Sequence, residues 1–200
     1  MITPEHFTPL VYLASRSPRR VELLKQIGIH CEILPADIDE TPLINEPPAD
    51  YVIRLARQKA EAGLQNALVN AKPLPVIAAD TTVELDGIVL GKPENNAEAK
   101  HMLQALSSRT HQVHTAVSLA WQGQIEVILS STYVEMMVLS EAQIDAYIRS
   151  GEPQDKAGSY GIQGLAGAWI KHIEGSYTGV MGLPVYETAS LLRAHGLSVI

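Results

Sequence analysis

The residues best equipped for chemistry in this 200-residue chain open near its start. Ala14-Ser15-Arg16-Ser17-Pro18-Arg19-Arg20 sets three of the fifteen Lys and Arg side by side, with no acidic residue until Glu22. The apolar run LVYLA (10–14) precedes them as a buried strand, and Pro18 suits the first position of a helix that Ser17 would cap. Cations in a first helical turn oppose the macrodipole, so stability alone would favour Asp or Glu there. An anion resolves the conflict: free helical N–H groups, two hydroxyls and guanidinium forks together make a phosphate site. The alternative is a solvated basic patch whose arginines pair with the acidic stretch at 37–50.

Asp80 follows the apolar run VIAA and is followed by Thr81 and Thr82. A carboxylate leaving the C-terminal end of a buried strand stands where open α/β sheets keep their sites, and could bind a metal or act as a base. An Asp that begins a turn would look the same. Glu40, in Asp-Ile-Asp-Glu, is a second carboxylate that could share a divalent cation, and such hard oxygen donors suit Mg²⁺ or Mn²⁺ and not zinc. Lys59, Arg54 and Arg57 on a long helix read most simply as ordinary exposed cations. Lys92, after a hairpin close in sequence to Asp80, could reach the same cleft. Its GIVLGKP context is one residue short of a P-loop and carries Pro93 where Ser or Thr belongs.

Other chemistries are excluded. His111 and His114 fall in a strand, where positions i and i+3 face opposite sides, so they are no zinc pair. G-x-S-x-G, H-E-x-x-H and a post-strand G-x-G-x-x-G are all missing from the sequence. Cys31, the single cysteine, excludes an intramolecular disulfide framework and fits a reducing cytoplasm and a place in the core.

The elements that must position these residues alternate along the chain. Strands are expected at 10–14, 30–34 and 74–80, a hairpin over 82–90 turning at Asp86-Gly87, long strands at 110–121 and 124–139, and a strand at 168–173. Helices are expected from Ser17 to Gly28, over 49–69, 95–107, after Ser140, and over 183–196. The four glycines at 158, 161, 164 and 167 mark a loop where backbone approaches something closely. The pattern is an α/β domain with a mixed sheet.

Composition bounds the rest. With 46% apolar and 18% charged residues the chain is globular, and one Phe and two Trp leave an aliphatic core. No run approaches a membrane span, and the start, MITPEHFTPL, lacks the basic and apolar regions of an export signal. A net charge of −7 argues against a nucleic-acid partner.

The motifs LASRSPRR (13–20), RLARQKA (54–60), AADT (78–81), GKP (91–93), DKAGSYGIQG (155–164) and GLPVYET (182–188) occur in an order and spacing that resemble the Maf-like nucleoside triphosphate pyrophosphatases. The resemblance implies a Maf/inosine-triphosphatase-like α/β fold, a mixed sheet flanked by helices with a deep central cleft, as a single domain over 1–200 with two lobes. It implies hydrolysis of a nucleoside triphosphate to monophosphate and pyrophosphate with a divalent cation (Mg²⁺, Mn²⁺ or Co²⁺), in a homodimer. By the same resemblance Asp80 matches the proton acceptor, Ser15, Arg19 and Arg20 the phosphate signature, and Glu40, Lys59 and Lys92 the remaining polar cleft residues. Asp80 and Glu40 would then hold the metal. Arg16 stands where relatives often have Gly and takes no role, and residues before Leu10 have no counterpart. DKAGSYGIQG is similar to the branch that prefers dTTP and UTP, in which Arg19, Thr81 and Gln163 match the specificity positions. A Gln amide can pair with the N3–H and carbonyl edge of uracil or thymine. Removal of modified nucleotides and nucleotide sensing in cell division are the rival roles.

Overall fold

The structure, a computed structural model, describes residues 11–69, 74–197 and 199. The segment before them, read above as lacking an export signal, lies outside the described residues. A seven-stranded mixed sheet runs in the order β2-β1-β3-β5-β6-β7, with β4 paired to β3. The strands are β1 (Val11–Leu13), β2 (Cys31–Ile33), β3 (Val76–Leu85), β4 (Ile88–Leu90), β5 (Thr110–Trp121), β6 (Gln124–Met136) and β7 (Ile170–Glu174). β1 lies parallel to β2 and β3, and the remaining pairs are antiparallel. The helices are α1 (Pro18–Gln26), α2 (Pro48–Val69), α3 (Asn96–Leu106), α4 (Glu141–Arg149), α5 (Tyr177–Val180) and α6 (Val185–Ala194).

α2 covers one face of the sheet and does so closely, because its contact residues are small. Ala56, Ala60 and Ala67 are buried against Ala14 and strand residues that include Tyr12, Val76, Ala78 and Ala116. The opposite face carries two aliphatic clusters. Leu23 and Leu24 of α1 and Leu191 and Leu192 of α6 pack on Ile77, Ala79, Val117 and Leu119. Farther along the same strands, Leu103 and Leu106 of α3 and Ile144 and Tyr147 of α4 pack on Val83, Leu85, Val113 and Val134. Between the two clusters runs a row of hydroxyls, with Thr81 directly opposite Thr115 and Thr115 directly opposite Ser130.

Several expectations shift. β3 does not stop at Asp80: the β-branched Thr81-Thr82-Val83 continue it, so Asp80 lies within a ten-residue strand that runs unbroken into the hairpin. Asp86 and Gly87 both take positive φ, as a two-residue hairpin turn requires. Ser17 stands at the N-cap of α1 in extended conformation, but its side chain makes no capping bond. β6 ends at Met136, and residues Leu165–Trp169 form a 3₁₀ turn, so β7 begins at Ile170.

The pairing of β3 opens the site. β5 follows β3 over most of its length on one side, whereas on the other β1 pairs only with Val76 and Ile77 and β4 only from Val83 onward. Residues 78–82 therefore have no strand partner on that side, and a cleft of about 910 Å³ lies over the gap.

Candidate active site

The cleft gathers every residue that the family resemblance matched to a site: Ser15, Arg19, Arg20, Glu40, Lys59, Asp80, Thr81, Lys92 and Gln163 all line it, whereas Arg54, Arg57, His111 and His114 do not. Successive strand side chains point to opposite faces, so Asp80 turns toward α2 and Thr81 toward α1. The gap beside β3 lets both reach one cavity.

On the α2 side, Lys59 Nζ donates to Asp80 Oδ1 at 2.6 Å and lies 2.7 Å from Glu40 Oε1. One ammonium thus ties two carboxylates together. Asp80 is 8% exposed, and burial pushes its carboxyl above the ordinary range while Lys59 and Arg20 pull it back only in part. Burial acts the same way on Glu40, but its bond to Lys59 and the charges of Lys59, Lys92 and Arg20 outweigh it, and the net shift is downward. Tyr51, whose hydroxyl donates to the Glu40 carbonyl at 2.9 Å, also lines the cleft, and its pKa is pushed up to about 12, first by burial and then by Asp80 and Glu40.

On the α1 side, Arg20 spreads its guanidinium over three acceptors. Nε donates to the Gly182 carbonyl at 2.8 Å, Nη1 to Ser15 Oγ at 3.1 Å and Nη2 to Thr81 Oγ1 at 3.4 Å. Thr115 Oγ1 lies 3.0 Å from Thr81 Oγ1 and 2.8 Å from the Gly179 carbonyl. Since a hydroxyl has one hydrogen, the chain runs from Arg20 to Thr81 to Thr115 to Gly179. Desolvation lowers the Arg20 pKa, and the charge of Asp80 acts against it. Ser15 Oγ also accepts from the Ser17 N–H at 3.1 Å. With no capping side chain and no acid in its first turn, α1 presents its N-terminal N–H groups and Arg20 to one anion-binding corner.

The three arginines separate. Arg16 pairs with Asp37 in solvent at 2.5 Å, as the basic-patch alternative expected of all three. Arg19 lies 3.7 Å from Asp155, and Arg20 turns inward. Arg54 belongs to a separate cluster with Glu46. His111 and His114 are both buried and on opposite faces: His111 meets Tyr160, and His114 meets Ser131 and Glu84.

The glycine loop is close to protein. A Cβ on Gly158 would lie 2.9 Å from a Val83 methyl, on Gly161 2.7 Å from Lys156 Cε, on Gly164 2.1 Å from Glu152 Oε1, and on Gly167 2.5 Å from the Ile162 carbonyl oxygen. Thr115, Gly182, Tyr51 and Glu152 escaped sequence reasoning. Thr115 sits in an apolar strand run, and only the register opposite Thr81 marks it.

Asp80 and Glu40 offer hard oxygen donors on one cleft wall, already close enough to share an ammonium. Among the described residues no cluster of three or more His, Cys, Asp and Glu is placed to hold a metal. Two carboxylates, with water and phosphate oxygens completing the shell, are what Mg²⁺ commonly takes, so the residues fit such a cation.

A family model described as "Maf-like protein" matches residues 10–195. A protein of Nitrosomonas europaea named dTTP/UTP pyrophosphatase is 54% identical over the whole of both chains. Proteins of the same name from Methylobacillus flagellatus and Bordetella pertussis are 56% and 55% identical, covering 94% and 96% of this chain and 94% and 95% of their own.

Proposed function

The chain belongs to the Maf-like family, and from that premise we propose that it hydrolyses dTTP and UTP to the monophosphate and pyrophosphate. The observation that carries the reading is the meeting, across one gap in the sheet, of the Lys59-bridged carboxylates and the uncapped, arginine-bearing start of α1.

The triphosphate lies along Ser15 to Arg20, over the α1 N-terminus. Asp80 orients a water molecule and takes its proton as the oxygen attacks the α-phosphorus. The bond to the α,β-bridging oxygen breaks, and pyrophosphate departs with the electron pair. Arg20, Lys59 and Lys92 offset the charge that gathers on the leaving group, so the residues work mainly by position and electrostatics. Asp80 and Glu40 would hold a divalent cation, which supplies further neutralisation of the phosphate oxygens. Gln163, with Arg19 and Thr81, selects the base: its amide offers one acceptor and one donor to the uracil or thymine edge.

Pyrophosphate release from dTTP, UTP, CTP, 5-methyl-UTP and purine triphosphates, each with Mg²⁺, Mn²⁺ or Co²⁺, tests the proposal. Highest kcat/KM on dTTP and UTP is expected. A flat profile, or release of orthophosphate in place of pyrophosphate, would overturn it.

A further inference from the structure

Gln163 is exposed and its amide makes no hydrogen bond among the described residues, so it cannot fix its own position. Base selection by an amide needs placement within a fraction of an ångström, which the supporting shell must supply. The loop that carries Gln163 is anchored on both sides. On one, the Gly161 N–H donates to Tyr147 Oη at 3.2 Å, and the Tyr147 hydroxyl donates to Glu152 Oε1 at 2.8 Å. On the other, the Leu165 N–H donates to Glu152 Oε2 at 3.0 Å. The turn between closes through Gly164 N–H to the Gly161 carbonyl at 3.1 Å. The backbone is seated so directly on the Glu152 carboxylate that a side chain at Gly164 would have to push that carboxylate aside.

A carboxylate in a cleft for anions would repel its ligand or claim a cation. Glu152 lines this cleft with both oxygens already accepting from protein donors, which leaves it a different task. Tyr147 is itself rigid: it is 3% exposed and meets Trp169 edge-on at 4.8 Å.

We infer that Tyr147 and Glu152 form a clamp that sets the position of Gln163 and, through it, the preference for a pyrimidine base. They are positioning residues, and the inference rests on the reading of Gln163 given above. One of the spaced glycines is explained by the clamp, Gly164 by the Glu152 carboxylate, whereas Gly161 is crowded by the neighbouring Lys156 stem.

The experiment measures kcat and KM for dTTP, UTP and GTP in the wild type and in Gln163→Ala, Tyr147→Phe, Glu152→Ala, Glu152→Gln and the Glu152→Ala/Gln163→Ala double variant. Gln163→Ala, Tyr147→Phe and Glu152→Ala should each lower the dTTP-over-GTP ratio of kcat/KM by about tenfold. The loss should appear in KM for dTTP and UTP, with kcat within about twofold. Glu152→Gln should recover part of it, because its carbonyl can still accept from Leu165 N–H, and the double variant should be no less selective than Gln163→Ala alone. Tyr147→Phe keeps the ring against Trp169 and so guards against a misfolded Glu152→Ala. A uniform fall in kcat for all nucleotides, or an unchanged ratio in Tyr147→Phe and Glu152→Ala beside a lowered one in Gln163→Ala, overturns the clamp. An unchanged ratio in Gln163→Ala overturns the reading of Gln163 and the clamp with it.

Discussion

The Lys59 ammonium lies 2.6 Å from the Asp80 carboxylate, joining α2 to the stretch of β3 that is paired on one side only, and the same ammonium holds Glu40 at 2.7 Å. An Asn at position 80 keeps the volume and an oxygen that accepts from Lys59, but cannot take a proton from water. Asp80→Asn should therefore lower kcat by about 10²–10⁴-fold, the range of a lost general base. Nucleotide binding by calorimetry should change far less. Near-normal turnover in that variant would remove Asp80 from the chemistry.

Arg16 and Arg20 predict opposite outcomes from the same motif. Arg20 reaches three acceptors with a planar fork that an ammonium cannot match, whereas the Arg16–Asp37 pair stands in solvent at 67% and 77% exposure. Losing a hydrogen bond of a charged group costs about 1.5–3 kcal/mol, so Arg20→Lys should raise KM for dTTP by at least about tenfold. An exposed pair contributes about 0–1 kcal/mol to stability, and although both residues stand on the cleft wall the Arg16 guanidinium is held by Asp37, so Arg16→Ala should leave kcat/KM within about twofold. Steady-state kinetics on the two variants decide it; equal losses would mean that the motif acts as a diffuse basic patch.

The cleft residues were legible in the sequence because chemistry violates local preference there. Arginines stand in a first turn where acids belong, and a carboxylate interrupts an apolar strand. The pairing that exposes Asp80 was not legible, since it depends on β1 and β4 being too short to cover β3, and β4 reads only as half of a hairpin. Nor was Thr115, which becomes meaningful only when register sets it opposite Thr81. Ser17 stands at the N-cap position, as expected, but its side chain leaves the N–H groups of the helix start uncapped. Glu152 beside Pro153 carries no signal at all until the glycines fold back over it.

Gly63 sets two effects against each other. In a helix interior Ala is favoured over Gly by about 1 kcal/mol. At Gly63, however, a Cβ would lie 2.8 Å from a Val76 methyl and 2.9 Å from Ala14 Cβ, both in the tightly packed layer beneath α2. Overpacking of this kind costs about 1–3 kcal/mol, and it should win because both neighbours, Val76 in β3 and Ala14 just past the end of β1, are buried with little room to yield. Gly63→Ala should thus lower stability in urea by about 1 kcal/mol, the difference of those two effects. A stabilised variant would show that α2 can lift from the sheet at no cost.

Acid sensitivity should trace to His111. Its Nε2 lies 2.7 Å from the Tyr160 hydroxyl, its Nδ1 is buried with no partner among the described residues, and its side chain on β5 is 2% exposed. Burial lowers the imidazole pKa from 6.5 to about 4. The unfolded chain therefore binds a proton below pH 6.5 that the folded chain refuses until about pH 4, and the stability His111 contributes is complete above 6.5 and lost as pH falls toward 4. Between pH 7.5 and 5 the loss should be about 2 kcal/mol. Glu46 works in a separate window. Held by Arg54, its pKa falls from 4.5 to about 2, so its contribution persists until the unfolded chain protonates below 4.5. Urea unfolding at pH 7.5 and 5 should show the drop in the wild type and its absence in His111→Gln, which keeps a polar partner for Tyr160 but does not titrate. A drop of equal size in both would place the titrating group elsewhere.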